Sequence, residues 1–495
     1  AYYIKASLRR RFRAVIALEL EKYAANSNNR FVAQTVAYVI HQVSPVYSFI
    51  HHFLRALSQS KLTPRYVLSS ASPAMHPTLT AYAAVILHLP SDLALPFDVK
   101  SFPQKDEPYY IDADGQKNYD VSNMLHIDQG GHFVLLATGT DGIHVHDTYF
   151  AKHNTRNARD IYDFMACNDV TVTNIYSRVS SDDIVKPGSD CSLGFTRPAR
   201  NYMVRNIVGD TNCNLFQIGS ETADDIQDLY VDNIYVLGAN KAGFSISTND
   251  GGHIKNVYLN SGKTGAIHSR SVMHRTRAPF FISISNRGRV LGADVAPFTF
   301  TENGNVRKEL LVTNSDIGQV ENIVICGVDI DEVYGGSSFR GERWKAYDGS
   351  QSTATPIIAG FKLPDTEVVE GGLTFRLPNG QHTGYINNVQ FHDVNLLVKG
   401  GHPVEDAEAY PPEIGVGRYN VGDLKIQPSF GFWARHVKDF LLDNCSINAE
   451  QKDGRYAVVL DDVIGGEIKK LKVKEGITDK ENVKVLRSKD IDIQK

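Results

Sequence analysis

From about Tyr109 onward the chain is a series of short β-branched runs punctuated by glycine, asparagine and aspartate. One unit recurs: a polar residue, an apolar-x-apolar triplet, an Asn or Asp, then another apolar residue. It appears at 142–147 and 170–175, and returns at 202–207, 229–234 and 253–257. The Asx positions Asp147, Asn174, Asn206, Asn233 and Asn256 are separated by 27, 32, 27 and 23 residues. Later copies lie at 321–325, 388–391 and 439–445, with a weak one at 466–471. Alternation at period two predicts strands, and a repeat every 20 to 35 residues, roughly, predicts a solenoid. No helix of ten residues fits inside a period. The expected fold class is therefore all-β, a right-handed parallel β-helix. A β-sandwich also has short strands with turn signals, but nothing in it demands one register at one period. Asn tolerates the tight turn and would stack as a ladder with its neighbours.

The first part of the chain has another texture. All 39 glycines lie at or after Gly115, where average usage would place about eight in the first 114 residues. Residues 8–60 are rich in Ala, Leu, Arg and aromatics, and 31–53 has the spacing of an amphipathic helix. The prolines at 64, 73, 77, 90 and 96 break the stretch from 61 to 105 into short pieces. The expected organisation is an N-terminal cap of uncertain structure over 1–105, a catalytic β-helix over 106–480 and a C-terminal tail over 481–495.

Composition narrows the function classes. A net charge of -4 gives no broad basic face for nucleic acid. No run of eighteen apolar residues predicts a membrane span. The five cysteines, Cys167, Cys191, Cys213, Cys326 and Cys445, are scattered and fit neither a disulfide framework nor a paired metal motif. No cofactor and no metal ligand set is expected. The basic cluster at 9–13 is not followed by a clean apolar segment and cleavage site, so no signal peptide is seen, although a secreted or periplasmic location is expected.

The candidate chemistry centres on Ser180-Ser181-Asp182-Asp183, just after the strand-like run 168–175. Adjacent side chains on a flat strand face opposite ways. For both carboxylates to serve one site, the backbone must turn or bulge there. Two like charges held close in a partly dry site raise one pKa, giving an acid beside a base. A solvated Ser-Asp-Asp turn is the plain alternative.

The run from Arg159-Asp160-Ile161-Tyr162-Asp163 through 168–174 to Ser181-Asp182-Asp183 resembles glycoside hydrolase family 28, the polygalacturonase family. That family's pattern is Asn-Thr-Asp-Gly-φ-Asp, one strand, then Gly-Asp-Asp. Its next motif ends in Ile-Gly-Ser, which here is Ile218-Gly219-Ser220, with Asn214 at the histidine position. Its Arg-Ile-Lys motif falls on Ser245-Ile246-Ser247. Stretches 427–437 and 456–463 also resemble bacterial members. The resemblance covers roughly 120–475 and implies inverting hydrolysis of a polysaccharide by Asp160, Asp182 and Asp183. It points to Asp183 as acid and to Asp160 with Asp182 as the base pair.

Serines at 245 and 247 cannot hold a uronate as Arg and Lys would. The expected substrate is thus an acidic or otherwise unusual polysaccharide met by other residues. Lys186, Asn214, Gln217 and Glu221 are candidates near the Asp pair, and His268, Arg270, His274 and Arg275 form a basic stretch further on. Trp344, Trp433, Tyr347 and Tyr419 are candidates for stacking on sugar faces. Two other readings remain open: a polysaccharide lyase using a base from 268–277, and a non-catalytic glycan-binding solenoid.

Overall fold

The computed structural model describes residues 110–111, 117–118, 124–127, 132–150, 160–262, 265, 269–302, 304–338, 346–364, 377–413 and 420–494. The cap expected over 1–105, together with His268, Trp344 and Tyr419, lies outside the described residues. Within them the chain is all-β. A single hydrogen-bonded sheet of 21 strands carries the structure. The only helical segments among the described residues are two short 3-10 turns, Val404–Glu408 and Val421–Leu424. No helix among them is long and apolar enough to cross a membrane.

Every pairing within the large sheet is parallel. Asn168–Ser180 lies between Asp141–Phe150 and Ala199–Thr211. Ala199–Thr211 in turn pairs with the long strand Ile226–Thr248. The series continues through Thr276–Ile284, Gln319–Val333, Ile386–Val398, Ser429–Asp443 and Tyr456–Lys469. Register is set by apolar side chains meeting their like, as in Val170 against Tyr202 and Val172 against Val204. Val170, Val172, Val231 and Ile254, all expected inside, are at most 1% exposed and belong to one continuous apolar core. Burying such a side chain stabilises by roughly 1.5–3 kcal/mol, so a one-residue slip that turned a strand's apolar set outward is strongly disfavoured. Two strands in the stretch expected as a tail, Val483–Leu486 and Lys489–Ile493, pair in parallel with Tyr456–Lys469, so the sheet extends into it.

The Asx positions do form ladders, but two rather than one. Asp147, Asn174, Asn206 and Asn233 all have φ between 51° and 57°. Each amide donates to the side-chain oxygen before it: Asn174 to Asp147 at 2.9 Å, Asn206 to Asn174 at 2.9 Å and Asn233 to Asn206 at 3.0 Å. An amide suits this role because it donates and accepts at once, and Asn is among the few residues that visit the left-handed region readily. The next member is Asn260, whose Oδ1 accepts from the Asn233 backbone at 2.9 Å. Asn256, expected to follow Asn233, instead stands over Asp228 and starts a second ladder running to Asn322 and Asn388.

The outer face changes character across the strands. One file of positions, defined by register, begins with Leu136, Asp163 and Lys186. Gln217 and Ser245 stand side by side further along it, and Ser245 meets Phe281. Ile357, Trp433 and Val459 continue the file. These late members, with Phe281, form a second apolar cluster together with Ala407, Val421 and Leu424 from the two 3-10 turns. Trp433 is 1% exposed in that cluster. It is a packing residue, not the open sugar platform that its side chain alone would offer.

Candidate active site

The turn that the Asp pair demands is present. Pairing between Asn168–Ser180 and Ala199–Thr211 slips between Ser177 and Ser180. The Ser180 hydroxyl then closes a local turn, donating to the Asp182 carbonyl at 2.7 Å and accepting from the Asp182 N–H at 3.2 Å. The Thr211 hydroxyl donates to the same carbonyl at 2.5 Å. Asp182 is left half-buried while Asp183 is buried. A second turn presents Glu221. Gly219 there has φ +92°, and a Cβ on it would fall 2.4 Å from the Ser247 carbonyl oxygen, so only glycine fits.

The buried carboxyls are fastened across the strands. Asp160 Oδ1 accepts from the Asp183 N–H at 3.0 Å. Asp183 Oδ1 accepts from the Asn214 N–H at 3.0 Å and its side-chain amide at 2.8 Å. Asn214 Oδ1 accepts from the Ala242 N–H at 2.9 Å. Asp163 lies beside Asp160 because the strand Asp160–Met165 turns a corner, with Ile161 and Tyr162 both in the core. Neither Asp163 oxygen has a hydrogen-bond partner among the described residues. Its ion partner is Lys186, whose Nζ lies 3.3 Å from Asp163, 3.3 Å from Glu221 and 3.8 Å from Asp160.

Carboxyls outnumber cations here, and the proton balance shows it. Burial first, then the charge of Asp163, pushes Asp160 up to about 9 despite Lys186. Burial pushes Asp163 up to about 8, with Lys186 pulling the other way. At neutral pH this pair therefore retains a proton, which belongs to the pair as a whole. Asp183 is also raised, by burial and by Asp182. Burial opposes the charge on Lys186, but Asp163, Asp160 and Glu221 outweigh it and hold the ammonium charged. Burial likewise works against Glu221, yet Lys186 and Arg287 keep it below the ordinary carboxylate range.

The chain matches no protein-family model, no curated protein and no solved structure.

Asp182, Asp183 and Cys213 place possible ligand atoms within 4.8 Å of one another. Burial holds the Cys213 thiol well above its ordinary range, aided by Asp183. Lys241 already serves the same acids; burial opposes its charge, but Cys213 and Asp183 hold it up.

Seven of the expected residues share one pocket of about 450 Å³: Asp160, Asp182, Asp183, Lys186, Asn214, Gln217 and Glu221. Arg270, His274 and Arg275 do not line it. Arg270 is bound to Asp329 at 2.8 Å and to Asp393 at 2.5 Å, His274 to Asp331, and Arg275 to Glu332 at 2.8 Å. These ion pairs link neighbouring strands. Asp163 and Lys241 are pocket residues that the sequence pattern does not single out. Asp163 stands an odd number of positions after Asp160, which on a flat strand puts it on the opposite face, and only the corner at 161–162 reunites them. Lys241 carries no local signal, since it reaches Asp183 from a strand 58 positions further on.

Proposed function

We propose that the chain is an inverting glycoside hydrolase built on a right-handed parallel β-helix, with its active site in the pocket around Asp160, Asp163, Asp182 and Asp183. The β-helix reading is supported by uniform parallel pairing at intervals of one repeat and by the Asn ladders. The hydrolase reading is supported above all by one juxtaposition: a carboxyl pair that holds a proton at neutral pH, Asp160 with Asp163, faces the same pocket as the half-buried Asp182. Glycoside hydrolysis needs that combination, a protonated carboxyl at the leaving oxygen and a base at the anomeric carbon. The resemblance to the polygalacturonase family agrees with it.

The division of roles follows the atoms. Inverting enzymes keep acid and base roughly 6.5–9.5 Å apart to admit water. Asp182 and Asp183 have oxygens within 4.8 Å of each other, so they do not face each other across a water. Asp160 is the acid in this reading, in place of the Asp183 suggested by the resemblance. Its Oδ1 accepts from the Asp183 N–H, which leaves Oδ2 as the oxygen from which the pair's proton is given. Asp160 gives that proton to the glycosidic oxygen as the bond to the anomeric carbon breaks. Asp182 takes a proton from the water whose oxygen forms the new bond. Lys186 fixes the orientation of Asp160 and Asp163. Lyase chemistry with a base from 268–277 is less well supported: Arg270, His274 and Arg275 are paired with acids away from this pocket, and Lys186 and Lys241 within it are held protonated.

The test is an assay of new reducing ends and of the ultraviolet absorbance of a new C=C bond, on plant, algal and animal polysaccharides. Reducing ends without absorbance, abolished by Asp160→Asn and by Asp182→Asn, support hydrolysis. Absorbance rising with the reducing ends would replace it with elimination.

A further inference from the structure

The pocket is stopped on one side by the apolar cover, and this bears on which bond of a glycan is reached. Across the strands the outward file runs from Asp163 and Lys186 to Gln217 and Ser245, and the next member is Phe281. Phe281 is 2% exposed and belongs to the second apolar cluster. Over it sits the turn Val421–Leu424, which packs on the strands Ile226–Thr248 and Thr276–Ile284. Phe281, Asn420 and Val421 form the wall of the pocket on this side. Beyond the wall the file continues as Ile357 and Trp433, both at most 1% exposed. Among the described residues, a glycan lying across the strands meets a packed apolar body there.

The cover is anchored at several points. The buried Arg435 guanidinium donates to the Pro411 carbonyl at 2.5 Å and to the Pro412 carbonyl at 3.0 Å. His436 Nε2 meets Glu413 Oε1 at 3.0 Å. The Asp423 carboxylate accepts from the Asn420 N–H at 2.9 Å, closing the turn that presents Val421. Gln427 donates to the Lys425 carbonyl at 2.9 Å just beyond it. Leu424 and Val421 contribute apolar area to the same cluster. With a volume of about 450 Å³ the pocket is at the small end for ligand sites, suited to a chain end and not to a long run of sugars.

We infer that the enzyme acts on chain ends: the terminal sugar of a glycan seats against Phe281 and Val421, and the bond next to it lies over Asp160 and Asp182. This rests on the hydrolase reading of the same pocket. Asp163 lies beneath that sugar, held by Lys186 at 3.3 Å, and supports the pocket floor. The stop at Phe281 and Val421 is apolar, so it covers the sugar's end without binding a charge.

The experiment uses the full chain, a panel of p-nitrophenyl monoglycosides, and plant, algal and animal polysaccharides with products resolved by size. Release of p-nitrophenol together with single sugars, while polymer viscosity stays high, is the expected result. An early fall in viscosity with a spread of internal fragments would overturn chain-end action while leaving hydrolysis intact. No new reducing ends on any substrate would overturn the hydrolase reading, and chain-end action with it. The variant Val421→Ala with Asn420→Ala lowers the wall and is expected to lengthen the smallest product from one sugar to two or more. An unchanged product in that folded variant would overturn the role given to these two residues.

Discussion

Two charged clusters lie on this sheet, and they are built on opposite principles. Along the strand Ser271–His274 and beside it, Arg270, His274 and Arg275 each meet acids of their own on the next strand. The pairs are partly exposed, charge is balanced locally, and the cluster joins strands. In the pocket, Lys186 answers Asp160, Asp163 and Glu221, all of them largely buried, and Arg287 shares Glu221 at 3.6 Å. Balance there is reached by retaining protons on carboxyls. In the first cluster the charges are met by neighbouring side chains. A cluster that must borrow protons is poised to give them up, and strongly perturbed carboxyls in a cavity mark functional sites more often than structural ones.

The largest expected effect that would sharpen this contrast is at the acids. Asp160→Asn and Asp182→Asn should each lower kcat by about 10²–10⁴, the usual weight of general acid or base catalysis, with the thermal unfolding midpoint close to wild type. Loss of less than tenfold in both would put the two clusters on the same footing.

Next comes Lys186→Met. Because the folded-state carboxyls at 160 and 163 lie above their unfolded values, the folded chain holds extra protons, and stability falls as pH rises from about 4 towards about 9. Removing the ammonium raises both further and steepens that fall. Breaking a buried ion pair costs about 3–5 kcal/mol where the partner stays ionised, so denaturant titrations at alkaline pH should show the largest loss. Equal losses at pH 5 and pH 9 would contradict it.

Asp163→Asn should have a smaller effect of defined sign. The charge of Asp163 raises Asp160, so its removal lowers Asp160 and moves the alkaline limb of kcat/KM to lower pH. Lys186→Met moves the same limb to higher pH. Two variants that shift the profile the same way would break the assignment of Asp160 as the acid.

The smallest effects belong to the balanced cluster. Arg270→Ala should cost about 1 kcal/mol of stability, since Arg270 and Asp329 are both about a third exposed and solvent screens the pair. Its kcat and KM should stay within about twofold of wild type, because no ligand is lost. A KM raised tenfold on the true substrate would return Arg270 to the site.

Sequence and structure agree where the signal is local. The strand positions at Val170 and Val231 and the turn residues at Asn174 and Asn206 announce themselves by alternation and by the tolerance of Asn for a tight turn. The Ser180–Asp183 turn is legible in the same way. The charged clusters are not legible, because their partners are remote in sequence. Arg270 finds Asp329 at a separation of 59 residues and Asp393 at 123. Nothing near residue 270 says that its charge is already spent. Lys241 and Asp163 escape notice for the same reason, since it takes the pairing of strands and the corner at Ile161 to bring them to the Asp pair.

The hydrogen bonds that fasten the carboxyls have a consequence for drift over generations. Asp160, Asp183 and Asn214 occupy equivalent places, each accepting through Oδ1 a backbone N–H one repeat further along the chain. Asn214 shows that an amide meets the architectural demand as well as a carboxyl does. A lineage released from selection for catalysis would therefore keep these positions occupied, exchanging one carboxyl oxygen for an amide nitrogen. Asp-to-Asn replacement would erase the chemistry and leave the scaffold standing, whereas alanine would loosen both. Loss of function in such a lineage would be recorded as a change of one atom per position.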